Sequence, residues 1–337
     1  MGSSGSDHNV IVTRTPLRVS FAGGGTDLPE VYEREHGAVL STAIDKYIYV
    51  TVKRHSSIFN EAIRINYSRS ETVNSIGEIQ NAIARECLRF LDIDPPVYVS
   101  TVGDLPASTG LGGSSAFAVG LLNALHAFRG ERVAAGELAE EACHIEMNVL
   151  QQPIGKQDQY AAAFGGLNLF CFKPGGAVTV EPQRFTNGTL RELFGSILMF
   201  WTGHQRDASR VLSEQRGRTS ENLEALQRIR SHAHQLHALL NDHVDLETFG
   251  QVLDETWRLK RGLAATVTTR EIDHWYDRAM QAGAYGGKLC GAGGGGFLLM
   301  IAPTERHPLV REALAALHHV PVSFEVHGSR VLLGSFD

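Results

Sequence analysis

The sequence predicts an α+β chain folded as two domains. Three observations carry that expectation. Strand-like segments follow one another too often for a doubly wound parallel sheet, so mixed pairing is expected. Near residue 185 the texture changes from strand-rich to long polar helices. No segment recurs at a fixed period, which argues against solenoids and propellers. A chain of 337 residues has room for two domains and a sizeable core.

Taken in order, Met1 to Ser6, rich in Gly and Ser, read as an expression tag or a disordered tail outside the fold. Val10 to Val12 and Val19 to Ala22 are expected as short strands on either side of Pro16. A Gly23-Gly24-Gly25-Thr26-Asp27 turn follows, and Leu28-Pro29 opens a short helix through about Glu35. Val39 to Ile44 is apolar, and Ile48, Val50 and Val52 alternate with Tyr47, Tyr49 and Thr51 as a half-buried strand does. A helix from about Ser75 to Leu91 stops at Asp94-Pro95-Pro96, and Val97, Val99 and Thr101 mark the next strand. Phe117, Leu121 and Leu125, four apart and joined by Leu122, predict a helix that Ser114 or Ser115 would cap. Glu137 to Leu150 is the next helix, broken by Pro153, and Gly166 to Val180 reads as a hairpin turning at Pro174-Gly175-Gly176. Then come a strand at Ser196 to Thr202 and helices at about Asp207 to Asn241, Leu246 to Leu263 and Arg270 to Ala282. A strand at Phe297 to Ile301, a helix near Leu309 to His318 and a last hairpin turning at Gly328-Ser329 close the chain.

Hydrophobic residues at 43%, charged ones at 20% and a net charge of −6 describe an ordinary globular protein with no basic surface for nucleic acid. A small-molecule partner is expected. Cys87, Cys143, Cys171 and Cys290 form no C-x-x-C pair and read as reduced core thiols. No apolar run approaches a membrane span and no charged-then-apolar leader opens the chain, so a cytoplasmic protein without membrane attachment is expected. The histidines, His232, His234 and His237 among them, fall on a polar helix with no completing thiol or carboxylate and read as a solvated face.

The chemistry concentrates in Pro106-Ala-Ser-Thr-Gly-Leu-Gly-Gly-Ser-Ser-Ala116. Gly110, Gly112 and Gly113 let a backbone come close to something, and the helix that follows turns free amides and the positive end of its dipole the same way. Such a site suits a polyphosphate; the plain alternative is a Gly-rich turn with a serine cap. The chain has no Gly-x4-Gly-Lys-Ser/Thr loop. Gly291, Gly293 and Gly296 match the dinucleotide fingerprint, but a strand rather than a helix follows them.

Pro-x3-Gly-Leu-Gly-x-Ser-Ser-Ala resembles the phosphate loop of the GHMP kinases. Pro16-Leu-Arg-Val-Ser-Phe-Ala-Gly-Gly-Gly-Thr-Asp27 is similar to that family's substrate motif, and Lys288-Leu-Cys-Gly-Ala-Gly-Gly-Gly-Gly-Phe297 to its third motif. The three occur in the family's order across nearly the whole chain. The resemblance implies a ribosomal-protein-S5-like ATP-binding domain over residues 7–185 and a ferredoxin-like domain over 186–337, with the site between them.

Phosphoryl transfer needs a phosphate cradle, a bridging metal, a group that orients or deprotonates the nucleophile, and positive charge. By resemblance Pro106 and Gly110, Leu111, Gly112, Gly113, Ser114 and Ser115 form the nucleotide cradle for ATP. Ser115 and Glu146 would hold Mg²⁺, which prefers hard oxygen ligands. Without the family, Glu146 reads as one of several acids on a solvated face with Glu137, Glu140 and Glu141. Asp158, in Gly155-Lys-Gln-Asp-Gln, corresponds to the catalytic aspartate that accepts the hydroxyl proton, and Arg18 to the cation beside it. Their plain readings are a turn residue and a strand-edge charge.

Gly24, Gly25, Thr26 and Asp27 would meet the sugar. Galactokinase-like members carry Gly-Glu-His-Thr-Asp here; the Gly-Gly-Gly-Thr-Asp form resembles the bacterial heptose 7-phosphate kinases and the fucokinases. A phosphorylated substrate needs a second anion site, for which Arg206 and Arg210, four apart at a helix start, and Lys288 are candidates. The resemblance thus implies an ATP- and Mg²⁺-dependent kinase, expected to act on the anomeric hydroxyl of D-glycero-D-manno-heptose 7-phosphate in nucleotide-heptose synthesis. L-Fucose kinase is the rival, and a catalytically silent sugar sensor is the reading from another class; a pure binder needs no proton acceptor at position 158.

Overall fold

A computed structural model of the chain describes residues 10–185, 187–205, 208–240 and 245–334. Two long strands form its spine. β1 (Val10–Ala22) and β2 (Gly37–Arg54) pair antiparallel from end to end. The segments expected as two short strands around Pro16 are one. Proline cannot donate to a ladder, and the sheet absorbs it with a bulge: Pro16 stands opposite Tyr47, whereas Leu17 stands opposite Ile44.

Two strands missed in the sequence, β3 (Ile63–Asn66) and β4 (Ser70–Val73), pair as one antiparallel hairpin and extend this sheet. β5 (Val97–Gly103) pairs with the C-terminal half of β2 and, in parallel, with β3. β6 (Leu167–Phe172) takes the N-terminal half of the same edge of β2, and β7 (Val178–Pro182) pairs with β6. The turn at Pro174-Gly175-Gly176 is where the expected hairpin put it.

Helices cover this sheet. Short α1 (Pro29–Tyr32) follows the Gly-rich turn, and α2 (Ala82–Phe90) starts later than expected, with the Asn81 side chain accepting from Ala84 N–H at 3.0 Å as its cap. α3 (Gly113–Phe128) is the central one. It lies so close on the sheet that a Cβ on Gly120 would stand 2.6 Å from Thr15 Oγ1, and Thr13 Oγ1 donates to the Gly120 carbonyl at 2.8 Å. Leu121, Leu122 and Leu125 are fully buried on it, each contributing about 1.5–3 kcal/mol by removal from water. α4 (Ala135–Cys143) runs into a π-helical segment, His144–Val149, before α5 (Gln157–Phe164). Cys87, Cys143 and Cys290 are buried thiols as expected, while Cys171 is only half-buried.

After α6 (Asn187–Ser196), β8 (Ile197–Trp201) begins a second, antiparallel sheet. The long helix expected to Asn241 is two, α7 (Ala208–Gly217) and α8 (Leu223–Leu239). α9 (Leu246–Leu263) and α10 (Arg270–Gln281) have side-chain caps in Asp245 and Thr269. β9 (Gly286–Leu289), β10 (Phe297–Ile301), α11 (His307–Ala313) and the two-residue β11 (His318–His319) complete the layer, in the sheet order β11-β8-β10-β9. β12 (Arg330–Leu333) does not close a local hairpin. It returns to the first sheet and pairs with β1, where an open edge remained to be covered.

The polar helix α8 turns Leu226, Ile229, Ala233 and Leu236 inward, spaced at three and four residues. His232 joins that buried side instead of the solvated face expected of it, its Nδ1 within 2.9 Å of Thr256 Oγ1. Among the described residues no helix is long and apolar enough to cross a membrane, and no set of three metal-ligating side chains clusters.

Candidate active site

A cleft of about 370 Å³ opens where the first sheet, α3 and α5 meet the glycine segment before β10. Gly110, Gly112, Gly113, Ser114 and Ser115 line one wall. Gly110 and Gly112 hold φ values of +81° and +76°, a region open to glycine at little cost. The cap of α3 is Gly112 itself and no serine side chain caps it, contrary to expectation. The first intrahelical bond runs from Ala116 N–H to the Gly112 carbonyl at 2.9 Å. The amides of Gly113, Ser114 and Ser115 therefore have no helical acceptor, and they sit where the helix dipole is positive. Ser114 and Ser115 are released for other work: their hydroxyls donate to Glu146 Oε1 at 3.2 Å and Oε2 at 2.7 Å.

Glu146 reaches them because the π-helical segment carries it inward. It is fully buried, not part of a solvated face, and it also accepts from Gln159 Nε2 at 2.7 Å. Burial above all, with the Asp158 charge adding to it, pushes its carboxyl up to about 7. Ser115 Oγ and the Glu146 carboxylate form a compact set of hard oxygens, a donor chemistry that fits Mg²⁺.

Asp158 stands in the first turn of α5 and faces Gly112 across the cleft: a Cβ there would lie 3.4 Å from Asp158 Oδ2. Arg18 grips it with two parallel bonds, Nε to Oδ1 at 2.7 Å and Nη2 to Oδ2 at 2.8 Å, and gives Nη1 to the Gly110 carbonyl at 2.7 Å. Asp158 and the Gly110 turn are thus held by one guanidinium, itself 5% exposed. The strand-edge reading of Arg18 fails on that burial.

Asp27 is buried at the end of the Gly-rich turn. It accepts from Gly25 N–H at 2.9 Å, Gln157 Nε2 at 3.1 Å and Gln157 N–H at 3.3 Å. Burial, then the Asp158 charge, raises its carboxyl, and the backbone bonds oppose the rise. Gly155 makes this contact feasible, since a Cβ there would fall 2.1 Å from Asp27 Oδ2. Gly24 and Gly25 line the cleft beside it. Thr26 does not; its hydroxyl donates to the Gly23 carbonyl and accepts from Ala38 N–H, which closes the turn.

Three further expected residues take other positions. Leu111 is buried in the core and serves the loop through its carbonyl, which accepts Arg18 N–H at 3.1 Å. Pro106 is exposed and outside the cleft wall. Lys288 lines the cleft but is no free cation: Nζ donates to the Ser20 and Phe21 carbonyls at 2.7 and 3.1 Å, and burial drives its ammonium well below the ordinary lysine value. Arg206 and the Arg210 side chain lie outside the described residues.

The cleft also holds residues the sequence reading passed over. Ser20 shares a strand face with Arg18, two residues on, so the period of a β-strand was a signal for it. Gln157 and Gln159 flank Asp158, and one holds Asp27 while the other holds Glu146. Among the described residues Ser20 Oγ and Gln157 Oε1 are buried without a hydrogen-bond partner, as groups awaiting a polar ligand are. Lys260, on the last turns of α9, enters from the second half of the chain and donates to the Gly291 carbonyl.

A glycine loop at a helix start, a clamped carboxylate facing it and an oxygen-rich buried pair are the parts of a phosphoryl-transferring enzyme, a kinase. Comparison with known proteins agrees. Residues 74–166 match the model of the GHMP kinases N terminal domain and residues 233–319 that of the GHMP kinases C terminal domain. The chain is 32% identical over 313 residues to the D-glycero-alpha-D-manno-heptose 7-phosphate kinase of Campylobacter jejuni, covering 89% of this chain and 92% of the relative. It is 25% identical over 333 residues to the L-fucokinase/L-fucose-1-P guanylyltransferase of Bacteroides fragilis, 87% of this chain but 34% of that protein. Among solved structures, a D-glycero-D-manno-heptose 1-phosphate kinase from Bacteroides thetaiotaomicron superposes with a TM-score of 0.78 at 26% identity, covering 95% of this chain and 98% of the other. The chain belongs to the GHMP kinases.

Proposed function

We propose that this enzyme transfers the terminal phosphoryl group of ATP to the anomeric hydroxyl of D-glycero-D-manno-heptose 7-phosphate, giving the 1,7-bisphosphate and ADP. The observation that carries the reading is Asp158, clamped by Arg18 and facing Gly112 across the same cleft as Asp27. The free amides of Gly113–Ser115 would hold the phosphates. Asp27, Ser20 and Gln157 would take the sugar hydroxyls, and Asp158 would accept the proton of the attacking one as the new P–O bond forms and the bond to ADP breaks. Mg²⁺, held by Ser115 and Glu146, supplies charge neutralisation on the outer phosphates when bound. Arg206 and Arg210 would bind the distal phosphate.

The similarity to a heptose 7-phosphate kinase supports the substrate, and the fucokinase similarity is weaker. The product, a glycosyl phosphate, is what a nucleotidyl-transferring step would consume after loss of the distal phosphate, which is consistent with a role in nucleotide-heptose synthesis. A panel of free sugars and sugar phosphates with ATP and Mg²⁺, read by ADP release, tests the reading. Heptose 7-phosphate is expected to give the highest kcat/KM. L-Fucose as the better substrate, or loss of preference for the phosphorylated sugar, would replace it.

A further inference from the structure

Charge builds on the phosphoryl group as it transfers, so the cleft needs a cation with donors to spare. Arg18 has its charge offset by the Asp158 carboxylate and gives a further N–H to the Gly110 carbonyl, and Lys288 spends two of its three N–H groups on β1 carbonyls. Lys260 differs. It is 6% exposed and lines the same cleft. Among the described residues its one hydrogen-bond partner is the Gly291 carbonyl, and no carboxylate pairs with it. An ammonium carries three N–H groups, so two remain.

Its anchor fixes its position. The Gly291 backbone packs against the phosphate loop: a Cβ on Gly291 would stand 2.5 Å from the Gly110 Cα. The Lys260 ammonium is therefore held at the edge of the cradle, buried and without an anion, a costly arrangement unless an anionic ligand arrives.

We propose that Lys260 meets the transferred phosphoryl group: its Nζ binds the terminal phosphate of the nucleotide beside the Gly110–Ser115 loop and stabilises the charge that develops there. The assignment rests on the kinase reading of the cleft but not on which sugar is bound. The Lys260 ammonium is lowered to about 8, by burial above all and with Arg18 adding to it, while Cys290, Asp27 and Asp158 oppose the fall; Lys288 is a further positive neighbour. The charge thus titrates within reach of an assay.

Lys260→Met and Lys260→Arg test this against the wild type. Calorimetric titration with a non-hydrolysable ATP analogue and with ADP needs no sugar, so it is independent of the substrate assignment. In Lys260→Met the ATP analogue is expected to bind about tenfold more weakly while ADP changes by less than about twofold. kcat should fall by about 10²–10³-fold. Lys260→Arg should keep part of kcat and lose the basic limb expected near pH 8 in the wild-type kcat/KM profile for ATP. Equal weakening of ATP analogue and ADP would make Lys260 a support for the Gly291 backbone and overturn the proposal. A raised KM for the sugar phosphate at unchanged kcat would move it to the distal phosphate and overturn it as well. If Lys260→Met melts below the assay temperature, Lys260→Arg decides through its basic limb: retention of the wild-type limb overturns the proposal.

Discussion

Gly110 and Gly291 touch backbone to backbone. A Cβ on Gly110 would lie 2.6 Å from the Cys290 carbonyl oxygen, and one on Gly291 would lie 2.5 Å from Gly110 Cα. The two glycine segments, nearly two hundred residues apart in the chain, are one structural unit in the cleft. Gly291 also has φ of +75°, so any side chain there adds strain to collision. Gly291→Ala is expected to displace the phosphate loop and lower kcat by about 10²-fold, since misplacement of reacting groups by about 1 Å has that effect. Steady-state kinetics beside a melting curve separate this from unfolding; wild-type kcat in a folded Gly291→Ala protein would contradict it.

Asp158→Asn keeps the size of the side chain and removes its capacity to take a proton. kcat should drop by about 10²–10⁴-fold while ADP binding is retained. An Asn variant with near-native turnover would remove Asp158 from the role of base.

Glu146→Gln retains the packing of a buried group that accepts from Ser114, Ser115 and Gln159. Its carboxylate charge is lost. The Mg²⁺ concentration giving half-maximal rate is expected to rise by at least about tenfold, as loss of one charged ligand implies. An unchanged Mg²⁺ dependence would place the metal elsewhere.

The far end of α3 carries a pH-dependent contribution to stability. His126 is buried with Nδ1 2.7 Å from Glu131 Oε2 and Nε2 2.9 Å from Glu141 Oε2. Burial alone would lower its imidazolium, but the bonds and charges of Glu141 and Glu131 outweigh it and raise it above 6.5. A raised folded-state value means the stabilisation is complete below about pH 6.5 and disappears as pH climbs through that higher value. Denaturant melts of His126→Gln against wild type should show a larger loss at pH 6 than at pH 9. A difference that grows with pH would reverse the sign and refute the linkage.

Much of the cleft was readable in the sequence because its parts are backbone devices with local signatures. Gly110, Gly112 and Gly113 before an apolar-periodic helix mark a backbone turn that lines the cleft, and the resemblance of the motif around Asp158 points to the carboxylate that faces it. What the sequence hid came from long-range packing. Glu146 looks like one acid among several until a π-helical turn, which has no composition signal, carries it inward. Lys260 lies on an amphipathic helix where a lysine ordinarily faces water, and only the packing of α9 on β9 buries it. β12 crosses back to β1 because of an edge that local propensity cannot see.

On the proposed function, a triphosphate on the Gly110–Ser115 loop would present its terminal group to the Asp158 carboxylate. A crystal structure with a non-hydrolysable ATP analogue, Mg²⁺ and heptose 7-phosphate measures this directly. The terminal phosphorus should lie between the Gly113–Ser115 amides and Lys260, with the anomeric hydroxyl about 3 Å from Asp158. A nucleotide bound outside this cleft, or a sugar whose anomeric oxygen faces away from Asp158, would contradict it.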